Sequence, residues 1–359
     1  MPASGEPAAL VHAIEADHLE GLPGTRQTYV GRDDLRALLA PLGGKRWAVH
    51  MSETISAVSF LDAGMYTVLS GVGLMLVSAE NLVQRFAGLL DREGIASHER
   101  AARALYGIVE KTWDFVRSSY AGGTTIYEGD LRQVMEDEMA RLNLVRDHPP
   151  LAAAGINSAN PHYDFNGQGS VIREGDIIQL DLWAKEQWQH GMQPAVYADI
   201  SWAGVYGKRA GPEAETIFAD LVEVRENTLT FIEDALVSAQ NRVSRENQAV
   251  GRVVTGAEVD AYCRSLLCAK GYAGAIKHRT GHGIDTEVHG SGVNIDSVEF
   301  PDHRFLLEGS CFSLEPGIYL SGYGFRTEVD VYIAEGRPRI SGPMNSAEKQ
   351  GRQFSLLCC

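Results

Sequence analysis

Cysteine is scarce in this chain. Five occur in 359 residues (Cys263, Cys268, Cys311, Cys358 and Cys359), an odd number with no CxxC pair. That reads as free thiols in a reducing, cytoplasmic compartment. The vicinal Cys358-Cys359 pair does not make a prenylation box. Positive charge is also short: 32 Lys and Arg against 47 Asp and Glu leave a net charge of −15. Nucleic acid and anionic membranes need dense Lys and Arg, so neither is expected as a partner. Long apolar runs are missing as well. The longest uncharged run, Ala63–Ala79, holds Gly64, Ser70, Gly71 and Gly73, and reads as strands Met65–Leu69 and Leu74–Val77 around a turn rather than a membrane span. The opening MPASGEPAAL has neither the basic nor the apolar region of a secretory signal. GxSxG, GxGxxG and P-loop patterns are absent, which argues against a serine hydrolase and offers no nucleotide-binding fingerprint.

What is present is an ordinary globular composition, 44% hydrophobic, with a clear change of pattern near residue 95. Residues 1–94 read as a short N-terminal domain. Glu6–Leu19, Asp33–Leu42 and Asn81–Leu90 suit helices, and Trp47–Ser52 suits a strand. From 95 to 359 the order is plainer. Ser97–Ser118 carries Ala101, Leu105, Ile108, Val109 and Val116 at helical spacing. A capping box, Thr125-Ile-Tyr-Glu128, then opens a second helix with Leu131, Val134, Met135, Met139 and Leu142.

The same order recurs. Pro212 opens a helix bearing Ile217, Leu221, Val224 and Phe231. A second capping box, Thr255-Gly-Ala-Glu258, opens another that Gly271 stops. Glu174-Gly-Asp-Ile-Ile-Gln-Leu-Asp181 parallels Glu308-Gly-Ser-Cys-Phe-Ser-Leu-Glu315, and Asp199-Ile200 parallels Glu328-Val329. Two copies of one helix–helix–strand unit predict a pseudo-twofold domain whose site draws residues from both halves.

Acids sit inside the apolar strand segments. Side chains alternate along a strand, so Gln179, Asp181 and Trp183 share one face and Ile178, Leu180 and Leu182 the other. Asp199, Glu315 and the pair Arg326 and Glu328 stand in similar surroundings. Four carboxylates buried together would repel and take up protons, and two divalent cations would balance them. Three histidines follow within His278-Arg-Thr-Gly-His282-Gly-Ile-Asp-Thr-Glu-Val-His289, where Gly281 and Gly283 flank His282 and permit a close backbone approach. His162, in Asn160-Pro-His162-Tyr163, takes the place of His289 in the first copy.

Together these residues resemble the pita-bread dinuclear metallopeptidases. The elements that carry the likeness are Asp181, Asp199, Gly281-His282-Gly283, Leu314-Glu315-Pro316-Gly317 and Arg326-Thr-Glu328. The stretches Asn157–Tyr163 and His278–His289, with the Glu315-Pro-Gly-Ile-Tyr319 run, are closest to the prolidase and aminopeptidase P branch. The resemblance spans about residues 95–345. It implies an α+β pita-bread fold: the duplicated helix–helix–strand unit around a curved antiparallel sheet, behind a small, truncated N-terminal α/β domain.

The resemblance also implies a chemistry. Asp181 would chelate one metal, Asp199 and Glu328 would bridge two, and His282 and Glu315 would bind the second. The ions would be Mn²⁺, with Co²⁺ or Zn²⁺ as substitutes. A metal-activated hydroxide would attack, with Glu315 shuttling a proton and His162 and His289 beside the substrate carbonyl. Arg326 would orient Glu328, and His278 would stand close behind. The implied activity is hydrolysis of Xaa-Pro dipeptides by a homodimer, the alternative being an aminopeptidase P acting on longer peptides. A dipeptidase needs a cation for the free carboxylate, for which Arg304 is the candidate. A non-enzymatic scaffold is disfavoured because all five ligand positions are kept.

Three departures stand out. Asp181 and Asp199 are separated by a longer segment than usual, Lys185–Val196, which holds Trp188, His190, Gly191 and Pro194 and reads as a loop beside the site. Val329 follows Glu328 where an acid is common, with Asp330 one later. The N-terminal domain is short.

Overall fold

A computed structural model of the chain describes residues 6–187, 194–246, 254–342 and 352–359. Two compact units emerge, Met1–Asn81 and Leu82–Cys359. The sequence pattern changes later, at 94/95. Residues 82–94 join the larger unit because Gln84 donates to the Phe305 carbonyl at 2.8 Å and Leu89 bridges Ser310.

In the first unit, strands β1 (Ala8–His12) and β2 (Thr25–Tyr29) pair in parallel, followed by helix α1 (Arg32–Leu39). Strand β3 (Arg46–Val49), helix α2 (Ala63–Gly71) and strand β4 (Met75–Ser78) come next, and β3 and β4 are again parallel. Two expectations fail here. Glu6–Leu19 is not one helix, because its first half is drawn into pairing with β2 and only Ala13–Leu19 turns, as 3₁₀. Met65–Leu69 is helical rather than extended. Asp62 caps it by accepting from the Met65 N–H at 3.0 Å, and Val68 and Leu69 enter the small core with Leu35, Leu39 and Leu74.

The second unit opens with helix α3, which starts just inside the first (Glu80–Ala87), and the long α4 (Arg92–Gly122). Asp91 caps α4, accepting from Gly94 N–H at 2.8 Å, and Gly123 ends it at φ 67°. Helix α5 (Glu128–Arg141) is not capped from Thr125. Tyr127 is its N-cap and donates its N–H to Asp130 at 2.8 Å, because Glu128 is pulled into the interior by other donors. Strands β5 (Leu144–Val145), β6 (Leu151–Ala154), β7 (Ile177–Glu186) and β8 (Ala198–Val205) form one antiparallel sheet.

The second copy repeats the order: α6 (Pro212–Glu246), α7 (Gly256–Ala269), then β9 (Cys311–Leu314), β10 (Gly317–Tyr319), β11 (Gly324–Arg326), β12 (Val329–Ala334) and β13 (Arg337–Ile340). Strand β12 pairs antiparallel with β9 and β13. The Thr255–Glu258 capping box forms as expected. Gly175 (φ 91°) and Gly309 (φ 85°) each make a left-handed turn two residues ahead of the copy's main strand, the same device in the same place. Each copy has its own core. Leu105, Trp113, Met135, Leu180 and Ile200 fill the first, and Leu229, Val259, Phe312, Leu314 and Val331 the second. A bridge between Ser201 on β8 and Glu328 joins the two sheets.

Candidate metal centre

That bridge is where the site forms. Strand register sets Asp181 on β7 opposite Ser201 on β8, and Asp199 opposite Trp183. The Ser201 hydroxyl lies 2.8 Å from Asp181 Oδ1 and 2.7 Å from Glu328 Oε2, and accepts from Arg326 Nε at 2.9 Å. A hydroxyl has one proton, so it can donate to only one of two carboxylates at a time. The other is left needing a cation or a proton.

The second copy adds the rest. Gly281 and Gly283 run beside β9 so closely that a Cβ on Gly281 would fall 1.9 Å from the Ser313 carbonyl oxygen. This approach lets His282 N–H donate to Ser313 Oγ (3.0 Å) and Glu315 N–H donate to the Thr280 carbonyl (2.8 Å). Ser313 Oγ in turn donates to Glu315 Oε1 at 3.0 Å. The His282 Nε2 atom then stands 3.5 Å from Asp199 Oδ2 and 3.5 Å from Glu315 Oε1. Donor atoms of Asp199, His282 and Glu328 all lie within 4.8 Å of one another.

All four carboxylates are buried: Asp181, Asp199, Glu315 and Glu328 are 7%, 6%, 7% and 2% exposed. Arg326 is the cation that meets them, pairing with Asp181 and lying 3.8 Å from Glu315 and 3.7 Å from Glu328. One positive charge does not balance four. Burial, then the charges of Glu328 and Asp181, push the Asp199 carboxyl well above its ordinary range. Burial and the neighbouring Glu315 and Asp181 do the same to Glu328. Glu315 is raised by burial, against the pull of Arg326 and Arg279. Burial first, then His289, holds His282 well below the usual imidazole value, so it is a neutral donor. Among the described residues, the buried Asp199 Oδ1 has no hydrogen-bond partner. An unpartnered carboxylate oxygen beside a neutral imidazole and three more acids is a donor set that fits hard divalent cations.

The remaining expected residues are placed as follows. The His289 ring meets that of His282 edge to face at 4.3 Å and is open to solvent. His162 is exposed, on the loop between β6 and β7. His278 Nδ1 donates to the Arg279 carbonyl (2.6 Å), so Nε2 accepts from the Tyr319 hydroxyl (2.8 Å). Arg304 is a correction. It is 1% exposed, and its guanidinium is spent on Asp302 and on the Ser291 and Gly292 carbonyls, so it is a structural residue with no reach to a substrate carboxylate. Trp188, His190 and Gly191 lie outside the described residues.

Sequence reasoning missed several contributors. Ser201 and Ser313 drew no reading from the sequence, although each stands two residues from an acid on the same face. Asp330 follows Glu328 at the same two-residue interval, and its Oδ2 accepts the Asp199 N–H at 2.8 Å. Arg279 is half-buried, and among the described residues its guanidinium has no hydrogen-bond or ion-pair partner.

A family model for "Metallopeptidase family M24" matches residues 96–335. A "Probable dipeptidase PepE" of Mycobacterium tuberculosis is 24% identical over 346 residues, covering 93% of this chain and 80% of that protein. Among solved structures, dipeptidase PepE from Mycobacterium ulcerans superposes with a TM-score of 0.69 at 20% identity, covering 99% of this chain and 85% of the other. A prolidase from Thermococcus sibiricus gives 0.60 at 21% identity, covering 96% and 84%. The α+β pita-bread architecture with a small N-terminal domain is thus shared along nearly the whole chain.

Proposed function

The chain belongs to metallopeptidase family M24, and on that footing we propose that it hydrolyses Xaa-Pro peptide bonds, with dipeptides as its substrates. The observation that carries the reading is the buried group Asp181, Asp199, His282, Glu315 and Glu328, drawn from both copies and short of positive charge. These five residues would hold two divalent cations, Mn²⁺ by preference for a carboxylate-rich set with one imidazole, with Co²⁺ or Zn²⁺ as substitutes. When bound, such ions supply Lewis acidity and a nucleophile at neutral pH.

The chain's own residues do the rest. Glu315, raised by burial and steadied by Ser313, takes and returns a proton. His162 and His289 donate to the oxygen of the scissile carbonyl as charge develops on it. Asp330 keeps the Asp199 backbone in place. Arg279 takes over the role expected of Arg304. Its charge bears on Glu315, His282 and His289, its guanidinium has no hydrogen-bond or ion-pair partner among the described residues, and a dipeptide's free carboxylate is the anion that suits it. This favours a dipeptidase over an aminopeptidase P, whose longer substrates carry no carboxylate at that point.

The test uses chelated protein reloaded with Mn²⁺ and offered Xaa-Pro dipeptides and Xaa-Pro tripeptides. The dipeptide should be cleaved with the higher kcat/KM. Arg279→Met should raise KM for the dipeptide about tenfold or more and leave the tripeptide nearly unchanged. Equal losses on both substrates would count against carboxylate recognition. Absence of metal-dependent cleavage of either would overturn the whole reading.

A further inference from the structure

Outside the metal centre, two fully buried carboxylates perform one task in the two copies. Glu128 heads α5 and accepts four hydrogen bonds: from Ala154 N–H (2.8 Å) and Asn157 Nδ2 (2.9 Å) on Oε1, and from Tyr163 O–H (2.9 Å) and Ser170 N–H (2.7 Å) on Oε2. Asp260, in the second turn of α7, accepts from Thr280 N–H (2.9 Å) and Oγ (2.5 Å) on Oδ1. Its Oδ2 accepts from Ser297 N–H (2.8 Å) and Oγ (2.5 Å) and pairs with Arg264 at 2.9 Å. In each case one carboxylate joins the two ends of a loop through main-chain N–H groups. The joined residues are sixteen apart in the first copy, 154 and 170, and seventeen apart in the second, 280 and 297.

The loops so closed carry the imidazoles. The first contains His162. The second contains His282 and His289, and Arg264 also donates to the His278 carbonyl at 2.7 Å just before it. A long loop with fixed ends has far fewer conformations than one with a free end, and a group must be held within about 0.5 Å to act in a transition state. We infer that Glu128 and Asp260 are paired positioning residues, each clasping the loop that delivers imidazole to the centre, with different consequences. The Glu128 loop holds no expected metal ligand, so that clasp governs turnover alone. The Asp260 loop holds His282, so that clasp governs metal retention as well. The turnover part rests on the peptidase reading above; the loop and metal parts do not.

Hydrogen exchange, Mn²⁺ titration and kinetics on Glu128→Gln and Asp260→Asn test this, since in either orientation the amide turns its NH₂ toward a main-chain N–H that can only donate. Glu128→Gln should speed exchange across 155–169, lower kcat tenfold or more with KM within threefold, and leave Mn²⁺ binding unchanged. Asp260→Asn should speed exchange across 281–296 and weaken Mn²⁺ binding tenfold or more. Should either variant fail to fold, Tyr163→Phe and Ser297→Ala remove one donor from each clasp and should show the same pattern more weakly. Unchanged exchange in the matching loop would overturn the inference, as would loss of Mn²⁺ binding in Glu128→Gln. Loops that loosen as expected, in a protein whose parent cleaves no peptide, would sink the peptidase reading and leave the clasps standing.

Discussion

His278 shows how a single side chain can record its surroundings. It was expected close behind the ligands, and its two nitrogens are committed to the Arg279 carbonyl and the Tyr319 hydroxyl. Burial, and next the charge of Arg326, lower its pKa from 6.5 to about 3. The folded chain therefore refuses a proton that the unfolded chain accepts. This contribution to stability is fully present above pH 6.5 and is lost as pH falls from there toward about 3, by up to 1.4 kcal/mol per pH unit (about one proton). His278→Gln should flatten the fall in unfolding free energy between pH 6 and 4, measured by denaturant titration. An identical slope would mean that the ring is not held neutral. At this scale the acids and His282 were legible because charge inside apolar alternation has few explanations. Arg304 was misread because sequence does not show that Asp302 and two carbonyls enclose it. Arg279 was missed because the lack of a partner for its guanidinium among the described residues is a fact of space, not of spacing.

Among the elements, the helices of the larger unit were legible from period and caps, and the strands from their alternation. Thr125 misled because a capping box competes with whatever else wants its glutamate, and Glu128 had four better donors. Met65–Leu69 misled because a five-residue segment with four apolar residues suits either state until Asp62 caps one. The segment 352–359 carried no signal at all, yet it lies along β8. Gln353 accepts from the Ala203 N–H at 2.9 Å, Leu357 pairs with Gly204 and its carbonyl accepts the Val205 N–H at 2.9 Å, and Trp113 Nε1 donates to the Cys358 carbonyl at 3.1 Å. Arg225, fully buried, ties the Gln353 carbonyl to the Thr327 hydroxyl between Arg326 and Glu328. Removing residues 353–359 would strand several of these groups, at about 1–3 kcal/mol for each left unsatisfied. Tm should fall by about 10 °C or more, and Mn²⁺ affinity with it. A truncated protein with normal Tm and normal metal binding would show the segment to be a passive appendage.

For the whole molecule, the duplication and the pseudo-twofold site were the most legible features, since they rest on ordered correspondences across 130 residues rather than on any one position. The meeting of the two sheets at Ser201 and Glu328 was not, because it depends on a single bridge between strands far apart in sequence. Four buried acids around one arginine make the metal-free fold costly to keep. Chelation should lower Tm by about 5–10 °C, and Mn²⁺ at about a hundred times its Kd should restore it, matching about 2.7 kcal/mol for one site. A Tm indifferent to chelator and to Mn²⁺ would mean that the acids are not a cation cradle.

The twin glycine turns, at Gly175 and Gly309, have a consequence for ancestry. They mark one unit used twice, yet each use contributes a different part: Asp181 and Asp199 from the first, His282, Glu315 and Glu328 from the second. Half the cradle is of no use to a cation. If both halves descend from one gene, that gene's product worked only as a self-pair, with its chemistry on the symmetry axis. Fusion would then have freed each half to drift, the first keeping two acids with the imidazole of His162 on its loop and the second two acids with His282 and His289.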